Sequence, residues 1–159
     1  MDVVSEQSDA TNIRLGRVDN PHLALGLTVE YLMKGPAFSK QSFGPFSQVL
    51  VGQINRRHYV LATRGVSTVG FVGYGLCSKA VADRWAYGSG EPTFDECNGG
   101  PCLLINAWMA SDLRVSLALK RWFIRSFPDV TSVRSKRLYA NGSTRIVNVR
   151  LTPGFQRSR

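Results

Sequence analysis

Asp112 is the carboxylate best placed for chemistry in this 159-residue chain. It follows the apolar run Pro101–Ala110 (PCLLINAWMA) and opens a helical pattern that runs to about Phe127, where Pro128 stops it. Backbone amides without intrahelical partners collect at such a junction. With Arg114 close by, the segment around Ser111 reads as an anion site. Lys120 and Arg121 lie further along the same helix, where they could meet an acidic partner or face water. A structural account competes: Ser111 caps the helix and Asp112 complements its dipole. Other reactive side chains are sparse. His22 precedes a helix, and His58 opens a strand and reads as a half-buried structural residue. Cys77, Cys97 and Cys102 are odd in number, and the NGGP spacer between the last two is too wide for a zinc pair. Neither a metal site nor a disulfide framework is expected.

The elements that must carry these residues follow from periodicity and punctuation. Residues 1–20 are polar and read as a flexible leader. Asn20 and Pro21 then suit the cap and first turn of a helix that Gly35–Pro36 ends. A second helix is expected over Pro45–Asn55, with Phe46, Val49, Leu50 and Ile54 on one face. The apolar runs His58–Thr63 and Thr68–Leu76 read as a hairpin, and the glycines of the second run suggest a bulge or a close backbone approach. Ser78 caps a third helix to Tyr87, Gly88–Pro101 is a loop, and Pro101–Ala110 is a buried strand. Strands Val130–Tyr139 and Thr144–Leu151 flank Asn141-Gly142, a strong short hairpin signal. The order describes one α+β domain over 21–152, a central mostly antiparallel sheet flanked by helices, with a basic tail at 153–159.

Charge is unevenly spread. Residues 1–110 hold nine basic and nine acidic side chains, whereas 111–159 hold eleven basic ones against Asp112 and Asp129, so the net charge of +9 lies in the last third. A one-sided positive field suits an acidic protein or a polyanion. Nucleic acid is the weaker of the two, because Trp122 and Phe123 read as helix-packing residues and no nucleic-acid-binding signature is present. No apolar run approaches the roughly 20 residues that span a bilayer, and the N-terminus lacks a secretory pattern, which points to the cytoplasm.

From Leu25 the chain reads LGLTVEYLMKGPAFSKQSFGPFSQVLVGQINRRHYVLATR and continues GVSTVGFVGYGLCS. This resembles the toxin-activating lysine acyltransferases, which acylate lysines of RTX protoxins. The similarity is good from Leu25 to Ser78 and looser to about residue 140, where Phe127-Pro128-Asp129 is again familial. The resemblance implies a GNAT-like domain with acyl-acyl carrier protein as donor and no tightly bound cofactor. It also implies a protein lysine as acceptor, an RTX protoxin among the candidates, and an aspartate as catalytic partner, carried here by Asp112. Two departures stand out. Phe38 occupies the place of the catalytic histidine, two residues after a proline, and WMASDLR lacks the proline and glycine that precede the family's aspartate. A relative retaining the fold as a binding protein is therefore the alternative function. The sequence leaves oligomeric state open, a homodimer included.

Overall fold

The computed structural model describes residues 12–88 and 90–151. Residues 1–11 of the expected leader and the basic tail 153–159 lie outside the described residues. The rest of the leader is a correction. Ile13–Gly16 forms an edge strand, β1, pairing antiparallel with β2 (Tyr59–Arg64) from Ile13↔Arg64 to Gly16↔Leu61. Ile13 and Leu15 turn towards the core, too short an alternation to register in sequence. Arg17 fastens the strand's end, donating to the Tyr59 carbonyl at 3.0 Å and to the Tyr74 hydroxyl at 2.9 Å.

The expected helices form for the expected reasons. Asn20 accepts from the amides of His22 and Leu23, starting α1 (Pro21–Leu32). The second helix, α2 (Phe43–Asn55), starts two residues before the expected Pro45. Ser78 accepts from the Val81 amide to start α3 (Lys79–Tyr87). Asn141 and Gly142, the latter at φ 83°, turn β5 (Ser132–Leu138) into β6 (Thr144–Arg150).

Strands run in the order β1 to β6 across one sheet, with β3 (Ser67–Cys77) and β4 (Cys102–Ala110) at its centre. Every pair is antiparallel except β4–β5, which α4 (Leu113–Ser126) joins as a crossover. One face carries α1, α2 and α3 against Tyr59, Leu61, Phe71, Ala107 and Leu104. The other carries α4, whose Val115, Leu119 and Phe123 pack on Val60, Ala62, Val72, Tyr74, Leu103 and Ile105. Gly70 lets α4 settle, since a Cβ there would come within 2.7 Å of Val115. Trp122 and Phe123 pack edge-on at 5.0 Å, with Tyr74 and Phe127 around them. They hold the helix on the sheet rather than offering faces to a base.

The basic residues of the final hairpin, Arg134, Lys136, Arg137, Arg145 and Arg150, are expected from sequence to extend the positive surface, and Arg134 departs from that. It is only 4% exposed and extends no positive surface. It donates to Asp83 at 2.9 Å and to Asn148, tying β5 to α3 and β6. Lys136, on the same face, lies 4.3 Å from the Trp85 ring centre.

Candidate active site

The sheet is interrupted at the middle of β4. Gly73 pairs with Ala107 and Tyr74 with Ile105, which leaves Asn106 as an extra residue on β4, a β-bulge. Its effect shows in the side chains. Leu103 and Ile105 face α4, Leu104 faces α3, and after the bulge Ala107 lies on the α1–α2 face while Trp108 packs towards α4. Pairing with β5 stops at the same place, running only from Cys102↔Ser132 to Ile105↔Ser135. Beyond it, Lys136–Leu138 pair with β6 alone. The β5-side edge of Asn106–Ala110 therefore has no strand partner among the described residues. An unpaired stretch of strand edge is a ready acceptor for an extended, amide-bearing ligand.

A loop roofs this opening. Gly35 sits over β4, close enough that a Cβ would fall 2.7 Å from the Met109 sulfur. Five residues later the Lys40 ammonium donates to the Ala140 carbonyl at 2.7 Å, at the tip of the β5–β6 hairpin. The loop thus spans from the splayed end of β4 to the hairpin. Phe38 lies between those anchors, half-buried, stacked on Phe46 with ring centres 5.8 Å apart. It supplies an apolar wall and no proton acceptor.

Asp112, not Ser111, is the N-cap of α4: its carboxylate accepts from the Val115 amide at 3.0 Å. The other oxygen pairs with Arg64 at 2.7 Å. The guanidinium and the helix amides pull its pKa down to about 2. A carboxylate so engaged is a weak base at neutral pH, and it fills the anion position at the helix start itself. The Ser111 amide is also committed, donating to the Val69 carbonyl at 2.9 Å, where the Tyr31 hydroxyl donates at 2.7 Å. Burial, with Asp112 adding to it, pushes the Tyr31 hydroxyl up to about 12, so it remains a donor. Arg114, Lys120 and Arg121 are exposed on α4 and free of the core, together with Leu113, Leu117 and Ile124.

On the α2–α3 side of the bulge lies a cavity of about 400 Å³, walled by Val49, Trp85, Phe94 and Leu104 and reaching Gln53, Arg56 and Asn106. Gln53, 1% exposed, donates to the Asn106 side-chain oxygen. Gln53 and Asn106 were not singled out from sequence. The available signals were an amide inside the apolar run LLINAW and a glutamine between Leu50 and Ile54 on the buried face of α2.

His58 takes a structural place beside that wall, stacked on Tyr74 at 5.1 Å. Burial, then Arg56 and Arg17, push its pKa down to about 4 from the usual 6.5. Unfolding releases the ring to water, so protons bind the unfolded chain first as pH falls below 6.5. His58 stability is whole above that value and is lost as pH drops towards 4. At about 1.4 kcal/mol per unit, reduced because the ring is only half-buried, the loss is about 1–2 kcal/mol. Urea unfolding at pH 7, 5.5 and 4 should show it, and His58→Gln should remove that part of the slope. An unchanged slope in the variant would place the titration elsewhere.

No protein-family model matches the chain, and neither does any curated protein. Among solved structures it resembles a mosquito arylalkylamine N-acetyltransferase-like protein, 5b, at 11% identity and a TM-score of 0.52, over 79% of this chain and 76% of that one. It also matches the PaiA N-acetyltransferase from Thermoplasma acidophilum, solved with coenzyme A, at 9% identity and a TM-score of 0.44 over 79% of each chain. Likeness at this level speaks to architecture, and it agrees with the topology: the chain has a GNAT-like α+β fold, one mostly antiparallel sheet opened beside its single parallel pair.

Proposed function

We propose that the protein transfers an acyl group from acyl-acyl carrier protein to a lysine ε-amine of a protein substrate. The observation that carries this is the coincidence at Asn106 of a bulge, the end of β4–β5 pairing and a loop that roofs the opening. A phosphopantetheine arm is extended and carries amides, so it can pair with the free edge of β4 as a strand would. A thioester held beside the bulge meets backbone N–H groups that can steady a tetrahedral oxyanion. Asp112 positions rather than abstracts: with Arg64 it fixes the end of β4 and the start of α4.

Carrier protein is favoured over coenzyme A as the donor's handle for two reasons. Asp112 already occupies the α4 start where a pyrophosphate would otherwise bind. Exposed Arg114, Lys120 and Arg121 interleave with Leu113 and Leu117 on α4, a surface that suits an acidic, amphipathic partner. A protoxin is one candidate substrate and the cytoplasm the expected compartment. A binding role without turnover is favoured by one observation, the apolar Phe38 in the roof.

The test is intact-mass spectrometry of decanoyl-acyl carrier protein incubated with the protein and Nα-acetyl-lysine amide at pH 8.5. Discharge of the carrier and acylation of the amine are expected, with decanoyl-coenzyme A at least tenfold slower. Lys120→Glu/Arg121→Glu should slow only the carrier-borne donor, and high salt should act likewise. Absence of both discharge and complex formation with the carrier would overturn the proposal.

A further inference from the structure

Asn106 stands where the two halves of the opening meet. Its backbone begins the stretch of β4 that has no partner on the β5 side. Its side chain turns to α2, where the Gln53 amide donates to its oxygen, and both residues line the α2–α3 cavity. That one bond decides which end of the Asn106 carboxamide is left over. With the oxygen engaged, the NH2 group is directed away from Gln53 and has no hydrogen-bond partner among the described residues. Nor is it sealed in. Asn106 is partly exposed, and the polar atoms that are both enclosed and unpaired belong to Thr28, Gln53, Arg56, His58 and Arg134. Gln53 holds its place because it is 1% exposed and packed over Gly73, where even a Cβ has no room. Turning the Asn106 carboxamide over would set its NH2 against the Gln53 NH2, two donors face to face. The free donor is therefore fixed in direction before any ligand arrives.

We propose that Asn106 is a catalytic residue whose side-chain NH2 donates to the thioester carbonyl oxygen, with Gln53 as the positioning residue that keeps it turned there. The inference rests on the acyl-transfer proposal and names the group that polarises its reacting carbonyl. A donor arm paired along the free edge of β4 reaches the bulge with its thioester, and the apolar wall of Val49, Trp85, Phe94 and Leu104 lies beyond for the hydrocarbon. The carbonyl is then left beside Asn106. In the reaction the neutral lysine nitrogen forms a bond to the carbonyl carbon, and the π pair moves onto oxygen. Asn106 and the backbone N–H groups of the bulge meet that charge. Return of the pair breaks the C–S bond, the phosphopantetheine sulfur leaves as a thiolate, and the nitrogen gives its proton to water. Amide and thiol result. A neutral amide suits the place, since burying a lysine or arginine beside an apolar chain costs far more. Phe38 supplies no base to the attacking amine, so activation falls on the carbonyl instead.

Two readouts test this, one with turnover and one without. Asn106→Leu keeps the side-chain volume and removes the donor. Its kcat with decanoyl-acyl carrier protein should fall about 10²- to 10³-fold, with little change in KM for the carrier. Gln53→Met should cost about tenfold, because the carboxamide can then present its oxygen. Rates are taken per folded molecule, with the folded fraction read from near-ultraviolet circular dichroism, so lost fold is not counted as lost catalysis. The second readout is the infrared carbonyl band of decanoyl-acyl carrier protein labelled with 13C at the thioester, bound without acceptor. Wild type should move the band to lower frequency, and Asn106→Leu should return most of that shift, a signature that a structural role would not produce. Transfer and band shift both unchanged in Asn106→Leu would overturn the role of Asn106 and leave the acyl-transfer proposal standing. A band shift lost in the variant, with no transfer by wild type, would uphold the carbonyl contact and overturn the transfer. No band shift in wild type would overturn the contact whatever the rates.

Discussion

Phe38→His should accelerate acyl transfer about 10²- to 10⁴-fold at pH 7, the usual contribution of a positioned general base. A lysine with a pKa near 10.4 is neutral in only about one molecule in two thousand at that pH, and only the neutral amine attacks. The wild-type roof supplies an apolar ring at position 38, between the anchors at Gly35 and Lys40. Asp112 cannot compensate, because its carboxylate is held by Arg64 and the Val115 amide with a pKa near 2. The wild-type rate should therefore follow the neutral fraction of the acceptor, rising about tenfold per pH unit between 7 and 9. The histidine variant should instead level off once its imidazole is neutral, above about pH 7. The two curves should converge at high pH, where the amine no longer needs a base. A wild-type rate that is flat over this range, with no gain in the variant, would mean that another group takes the proton and that the loop does not face the reacting amine.

Much of the scaffold was legible in the chain because its signals are local. Asn20-Pro21, Ser78 and Asn141-Gly142 each act within a few residues, and each sits where its chemistry predicts. What escaped depends on distant partners. Strand β1 is four residues whose alternation gains meaning only from pairing with β2. Arg134 reads as surface charge until Asp83, fifty-one positions earlier, is brought against it. Asp112 illustrates a finer limit: the helix start was visible, but two adjacent residues could each have capped it, and the pull of Arg64 from β2 was not visible. The bulge is the most consequential omission. The glycines at 70, 73 and 75 signalled a bulge or a close approach in β3, and β3 has a bulge at Val69 against β2, but the extra residue that opens the sheet lies across the ladder, at Asn106 in β4. An amide within LLINAW was the sign, and nothing nearby in sequence gave it a partner.

Gly73→Ala tests that partnership and should cost about 1–3 kcal/mol, although alanine suits a strand interior better than glycine in general. The reason is specific to the site. The new methyl would occupy the place of the Gln53 amide, 2.1 Å from its oxygen. Gln53 is almost wholly buried and bonded to Asn106, so displacing it strands two amides at once. Gln53→Ala alone should cost a similar amount, about 1–3 kcal/mol, by leaving Asn106 without that bond and enlarging the cavity. Combined, the two substitutions should cost less than their sum by roughly 0.5–3 kcal/mol, since the alanine methyl enters space that the glutamine no longer needs. Urea unfolding of the four proteins in the cycle measures this coupling. Strict additivity would place the Gln53 amide away from Gly73, and the polar lining of the cavity would lose its anchor at the bulge. Coupling of the expected sign would tie a glycine in β3, a glutamine in α2 and the break in β4 into one unit. That unit sets the distance between the free strand edge and the cavity floor.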